Sequence, residues 1–273
     1  MIKLDLSSDF LKFVEENADK DPLNQRLKWQ KKDCGFDVEA AITQIECRKR
    51  CRSKLENLLK NPLFFFPDRL SSEQASHQAV ALYHSRFGNK GEQLLDMTAG
   101  LGIDALTFAE KGLKAECCEL DGTRAEALKH NSSLISTVDF KVFNCDSVSF
   151  LTSSDKVYDI IFIDPARRGE GDRRVYNFRD CAPDITSFQE TAKMKCRRLL
   201  IKASPLLDIS QTLKDISDIS EIHCISVNGE CKEILIVVSK EHRGTEFVAV
   251  DLNNDCKEIS TFRYSDVMND NIR

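Results

Sequence analysis

Leu94-Leu95-Asp96-Met97-Thr98-Ala99-Gly100-Leu101-Gly102-Ile103-Asp104 reads as a strand that leaves through a glycine turn and enters a helix. Glycine permits backbone angles closed to other residues and lets a ligand approach the main chain. Gly100-x-Gly102-x-x-Ala105 also fits the dinucleotide fingerprint, in which alanine can stand for the third glycine. Asp96, four residues before Gly100, separates the two readings. A dinucleotide brings a pyrophosphate to this turn, which a carboxylate repels, whereas a ligand with a cationic ammonium is attracted. A third reading, in which Asp96 only caps the helix or ties the turn, leaves the acids further along the chain unexplained.

Those acids follow the next strands. Short apolar segments at Gln93–Met97, Ala115–Leu120, Lys141–Asn144, Tyr158–Ile163 and Arg198–Lys202 alternate with helical ones, at Ile103–Lys111 and Thr123–Asn131 after the first two. Alternation of this kind predicts a parallel sheet covered on both faces. Glu221–Val227 and Glu233–Ser239 flank Asn228-Gly229, a tight-turn dipeptide, so an antiparallel hairpin should close the sheet. Glu119 ends the second strand, where an acid can accept from both hydroxyls of a ribose. Asp121 is the natural cap of the following helix, and Asp146 follows the third strand, where it either receives an adenine amino group or is simply a turn aspartate. A cation, a ribose and an adenine together describe S-adenosylmethionine, with Asp96, Ala99, Gly100, Gly102, Glu119, Leu120, Asp146 and Asp164 as its expected contacts. Ligands of such sheets bind outside the carboxyl ends of the strands.

From about residue 72 to 240 these features resemble the class I S-adenosylmethionine-dependent methyltransferases: the Asp-x-x-x-Gly-x-Gly turn, the two later acids and the final hairpin. The resemblance implies a Rossmann-like α/β sheet, mostly parallel with an antiparallel closing hairpin. More closely, the chain resembles the bacterial THUMP-like methyltransferases. The matching stretches include Asp21-Pro22-Leu23, Leu70-Ser71-Ser72-Glu73-Gln74 and Phe162-Ile163-Asp164-Pro165-Ala166-Arg167-Arg168. Asp180-Cys181-Ala182-Pro183-Asp184, Ile201-Lys202-Ala203-Ser204-Pro205-Leu206-Leu207-Asp208 and Ser226-Val227-Asn228-Gly229-Glu230-Cys231-Lys232-Glu233 match as well. Such relatives continue into ferredoxin-like and THUMP-like domains, which implies an RNA substrate, and this chain ends where the first of these would begin.

After the fourth strand, enzymes that methylate exocyclic or amide nitrogens carry an acid or amide, two prolines and an aromatic. Here Asp164 and Pro165 remain, while Ala166 and Arg167 replace the second proline and the aromatic. Asp164, Pro165 and Arg167 are the expected catalytic residues, Asp164 orienting the acceptor nitrogen. Arginine can stack on a base or grip an anion with its planar fork, and Tyr176 and Phe178 are further candidate platforms. Methyl transfer from a sulfonium is an in-line displacement in which alignment supplies much of the acceleration. Carbon methylation would need a placed cysteine. The loop after the fifth strand has none, and Cys196 should lie at the strand's wrong end. A catalytically silent module that holds cofactor or RNA, and a small-molecule or protein acceptor, are the competing readings.

The 273-residue chain carries a net charge of −5, so no overall basic footprint marks it as a nucleic-acid binder. Its arginines and lysines are instead clustered, at Arg48, Lys49, Arg50, Arg52 and Lys54 and again at Arg167, Arg168, Arg173, Arg174 and Arg179. The first cluster is read as a solvated helix face or as basic surface for RNA, and the second lies beside the acceptor loop. Eleven cysteines without a C-x-x-C pair fit free thiols in a reducing cytoplasm better than a disulfide framework or metal site. No apolar run is long enough to span a membrane. Residues 1–70 read as a small helical domain with caps at Asp21 and Asp37, a face at Leu23, Leu27 and Trp29, and a capping box at Ser71-x-x-Gln74 opening the next helix. Residues 71–240 are the methyltransferase domain, and 241–273 are an extension with a strand pattern at 244–253 that starts a further unit.

Overall fold

The computed structural model describes residues 4–30, 32–135, 139–167, 177–241 and 244–265. Three helices come first: α1 (Ser8–Glu16), α2 (Pro22–Trp29) and α3 (Val38–Arg50). Ser7, Asp21 and Asp37 cap them, each accepting a first-turn N–H that the helix itself cannot satisfy. Phe10, Phe13, Val14, Ala41, Ile42 and Ile45 form their shared core with Phe65 and Ala127. The expected apolar face of α2 is not there: Leu23 and Leu27 are about two-thirds exposed, at 65% and 67%. Of that face only Trp29 turns inward, meeting Phe13 edge-on at 5.2 Å, and the buried residue of the helix is Gln25.

Two short helices follow, α4 (Arg69–Gln74) and α5 (Gln78–His84). The capping box expected at Ser71 is corrected here. Asp68 caps α4 through the Ser71 N–H at 2.6 Å, which places Ser71 inside the helix. Ala75 is extended, so the helix stops, and His77 caps α5.

The α/β part runs β1 (Gln93–Asp96), α6 (Ile103–Glu110), β2 (Lys114–Glu119), α7 (Gly122–Ser133), β3 (Phe140–Asn144), α8 (Ser147–Ser153) and β4 (Tyr158–Ile163). A two-residue pair, β5 (Ala166–Arg167) with β6 (Cys181–Ala182), precedes α9 (Gln189–Met194), β7 (Cys196–Ala203), α10 (Ile209–Asp215), β8 (Ile219–Val227) and β9 (Glu230–Val238). The last strands are β10 (Glu246–Leu252) and β11 (Glu258–Ser265). All but β5 and β6 form one nine-stranded sheet in the order β11-β10-β8-β9-β7-β4-β1-β2-β3. The inner strands β2, β1, β4 and β7 run parallel, β9 is antiparallel to both its neighbours, and β10 is parallel to β8. The β8–β9 turn uses Asn228 at φ 51° and Gly229 at φ 78°, the paired left-handed angles a tight hairpin requires.

Ile160–Ile163 are fully buried in the middle of this sheet, with one apolar cluster on each face. The helical N-terminal segment docks at α7, where Asn131 exchanges two 2.9 Å hydrogen bonds with the backbone of Phe65. The strand pattern read at 244–253 lies within the sheet as β10, beside β8.

Candidate active site

The carboxyl ends of β1, β2, β3, β4 and β7 open onto a cavity of about 740 Å³. That is the size of a small-molecule site. Asp96, at the end of β1, is 2% exposed and lines it. One carboxylate oxygen accepts the Thr98 N–H at 3.0 Å. Burial holds its carboxyl well above the usual range; the Thr98 bond opposes this, and the charges of Asp104, Asp164 and Glu119 add to it.

The turn that follows is fixed by its glycines. Gly102 caps α6 at φ 81°, and a Cβ there would stand 2.1 Å from Leu128 Cδ1 of α7. Gly100 sits at φ 53°, but a Cβ there would meet only the Thr98 carbonyl, at 4.0 Å. One glycine is demanded by protein packing, the other faces open cavity. The Gly100 N–H donates to Glu119 Oε2 and the Asp121 N–H to Glu119 Oε1, both at 2.8 Å. These bonds leave each carboxylate oxygen a second acceptor position. Asp121 caps α7, as its place in the sequence suggests. Asp146 caps α8 by accepting the Ser149 N–H at 2.8 Å, so the turn reading of this residue holds while its side chain still lines the cavity.

At the other end, the Asp164 N–H donates to Thr98 Oγ1 at 2.7 Å, tying the loop after β4 to the glycine turn. The Asp164 carboxylate accepts from Lys202 Nζ at 2.7 Å and remains 37% exposed. Pro165 is buried next to it and does not line the cavity. The backbone of Arg167 pairs with Cys181, but its side chain, together with Arg168, Arg173, Arg174 and Tyr176, lies outside the described residues. Phe178 is 2% exposed and packs in the core, which removes it as a stacking platform. Arg179 pairs with Asp215 at 3.0 Å.

The structure thus brings Asp96, Ala99, Gly100 and Gly102 together with Glu119, Leu120, Asp146 and Asp164 around one cavity. It also shows residues that sequence reasoning passed over. Lys202 donates to Ser76 Oγ at 2.9 Å and lies 3.7 Å from Glu233 Oε2. Ser76 donates in turn to Asp104, whose other oxygen is 2.7 Å from His84 Nδ1. His84 Nε2 stands 2.5 Å from Glu233 Oε1, an ion pair bent away from hydrogen-bond angles. Burial alone would lower the His84 pKa, but Glu233 and Asp104 outweigh it and push it up to about 9. Burial likewise works against the Lys202 charge, yet Asp164, Glu233 and Asp104 hold it protonated. For Asp104 burial is the largest influence, and the His84 bond and charge still bring it below the usual range. The signal in the sequence was Glu233 directly before the apolar run 234–238 and Lys202 directly after the apolar run 199–201, charged residues beside segments that the sheet buries.

Of the cysteines weighed for carbon methylation, Cys181 is buried and Cys196 opens β7 at the far end of the strand. Cys118 and Cys145 line the cavity beside Glu119 and Asp146, and burial raises the Cys118 thiol, with Cys145 adding to it. The basic cluster on α3 is largely committed to structure. Arg48 donates to the carbonyls of Pro62 and Phe64, Arg50 pairs with Glu46 and Glu73, and Lys54 donates to the Glu73 carbonyl. Among the described residues no group of His, Cys, Asp and Glu is placed to hold a metal ion, and no helix is long and apolar enough to cross a membrane.

No protein-family model matches the chain. The crystal structure of a proposed methyltransferase from Porphyromonas gingivalis W83 superposes on 97% of this chain and 66% of its own, with a TM-score of 0.81 and 27% identity. An uncharacterized RNA methyltransferase of Mycoplasma mobile is 25% identical over 146 residues, 52% of this chain and 40% of its own length. An uncharacterized S-adenosylmethionine-dependent methyltransferase of Mycobacterium tuberculosis is 24% identical over 189 residues, 68% of this chain and 50% of its own. The chain spans about half the length of the curated relatives it matches. The sheet order and the Porphyromonas likeness establish the Rossmann-like α/β fold expected from the sequence, with its antiparallel closing hairpin.

Proposed function

We propose that this chain, which carries the class I S-adenosylmethionine-dependent methyltransferase fold, methylates a nucleobase nitrogen in RNA. The observation that carries the reading is a single cavity joining Asp96, Glu119 and Asp146 to Asp164. The residues fit the cofactor. Asp96 offers a buried carboxylate to the methionyl ammonium, and Ala99, Gly100 and Gly102 supply a turn with open space above Gly100. Glu119 keeps acceptor positions for the ribose hydroxyls, while Leu120 and Asp146 border the adenine. When bound, S-adenosylmethionine supplies an electrophilic methyl group on a sulfonium.

The acceptor end belongs to Asp164. Its carboxylate receives a hydrogen of the acceptor amine and so aims the nitrogen lone pair along the line of displacement. Lys202 donates to the same carboxylate at 2.7 Å, which fixes Asp164 as an orienter more than a proton abstractor. Pro165 stiffens the loop, and Arg167 is assigned to an anionic or planar part of the substrate. RNA as the acceptor is supported by the Mycoplasma relative, which is described as an RNA methyltransferase, and is what the resemblance of the chain's motifs to THUMP-like methyltransferases implies.

The test is transfer of labelled methyl to total RNA from a strain lacking the gene, read by nucleoside mass spectrometry. A methylated base should appear with the intact protein. Asp164→Ala should cut turnover by about two orders of magnitude or more while cofactor affinity changes little. Cofactor binding without transfer to RNA would sink the reading.

A further inference from the structure

We propose that Lys202 is a specificity-determining residue: with Asp164 it forms a fixed donor–acceptor pair that selects an exocyclic amine flanked by an unprotonated ring nitrogen, the edge shared by adenine, cytosine and guanine. This rests on the methyl-transfer reading above. Asp164 can only accept, so by itself it would bind any N–H. Its neighbour can only donate. The two stand 2.7 Å apart at the rim of one cavity, where an amine and its flanking ring nitrogen can engage them side by side.

The ammonium is held from behind rather than left to swing. Ser76 accepts from it at 2.9 Å, and Ser76 is anchored by Asp104, which His84 ties to Glu233. Its approach to Glu233 Oε2, at 3.7 Å, is too long for a hydrogen bond. Two of its three N–H groups are therefore taken by Asp164 and Ser76, and a third is available to a ligand in the cavity. The side chain is 12% exposed, which suits a donor meant for one contact. A lysine serving only to neutralise buried acids would gain by closing on Glu233.

The nucleoside that the wild type methylates in RNA is identified first. Two synthetic oligonucleotides are then compared, one carrying that nucleoside and one a deaza twin in which the flanking ring nitrogen is a C–H. Wild type should prefer the natural base by between about 5- and 150-fold in kcat/KM, the worth of one good base-edge contact. Lys202→Met should lose that preference altogether, whereas Lys202→Gln, which keeps a neutral donor, should retain part of it. S-adenosylhomocysteine affinity, measured by calorimetry, should stay within about twofold in folded variants. If Lys202→Met does not fold, Ser76→Ala, which loosens the ammonium without removing it, should shrink the preference instead. A preference unchanged in these variants overturns the assignment of Lys202 while leaving methyl transfer intact. So does a methylated product with no amine beside a ring nitrogen. No methyl transfer by the wild type overturns the functional reading and this inference with it.

Discussion

Asp96 is the residue on which the cofactor reading turns, and its surroundings attach a pH signature to that reading. Burial holds its carboxyl well above the usual range. A cationic ammonium favours the charged form, so binding should release the proton. The sign follows directly: below the raised pKa the site must lose a proton to bind, and affinity climbs as pH rises toward it. Between about pH 5.5 and 6.5 the methionyl ammonium itself stays charged, since an α-amino group titrates near 7.7 to 8. Calorimetry with S-adenosylmethionine in two buffers of different ionisation heat should show net proton release in this interval. Asp96→Asn should abolish the release and weaken binding by roughly 10- to 100-fold at pH 7.5, about 1.4 to 3 kcal/mol. Proton-neutral binding by the wild type would remove Asp96 from contact with the ammonium. The position of this acid was legible in the sequence because strand, turn and glycines are local. Its burial and its neighbours Asp104 and Asp164 were not, because they arrive from other elements.

At the scale of elements, the glycine turn separates two kinds of requirement that look alike in sequence. Gly100 and Gly102 both have positive φ, a conformation that costs a non-glycine residue roughly 1 to 2 kcal/mol. Only Gly102 is also crowded, with Leu128 Cδ1 2.1 Å from where a Cβ would be. Overpacking of that kind adds about 1 to 3 kcal/mol. Gly102→Ala should therefore lower the thermal midpoint clearly more than Gly100→Ala. The order should reverse for function: Gly100→Ala places a methyl in open cavity and should weaken cofactor binding more than it weakens the fold. Equal losses of stability, by differential scanning calorimetry, would mean that α7 does not clamp the turn as described. The β1–β4 and β7–β9 pattern was legible because strand periodicity and the Asn228-Gly229 turn are short-range signals. The break between α4 and α5 was not, since Ser71-x-x-Gln74 imitates a helix start and Asp68 takes the cap instead. Leu23 and Leu27 misled for a related reason: spacing gives a face, but only tertiary packing decides whether the face is covered.

For the whole molecule, the sheet does not stop at the hairpin that closes the methyltransferase core. β10 continues it beyond β8 with seven paired residues, from Glu246 opposite Glu221 to Leu252 opposite Val227. Val248, Val250 and Leu252 are buried, at 2%, 3% and 0% exposure, and Val250 and Leu252 share a cluster with Ala79, Val80 and Tyr83 of α5. From sequence this segment looked like the start of something else, because parallel pairing between residues 25 positions apart leaves no local mark. Burying three such side chains contributes roughly 5 to 9 kcal/mol at about 1.5 to 3 kcal/mol each. That is comparable with the entire net stability of an ordinary domain, about 5 to 15 kcal/mol. Ending the chain after residue 240 would also leave β8 as a bare edge, a template for pairing between chains. The shortened protein should therefore melt at a markedly lower temperature, or collect as aggregates on size exclusion, and should lose cofactor binding with its fold. Restoring residues 241–265 should recover both. If chain 1–240 instead runs as a monodisperse species with an unchanged melting temperature, β10 and β11 are an appendage, and the core that shapes the cavity ends at the hairpin.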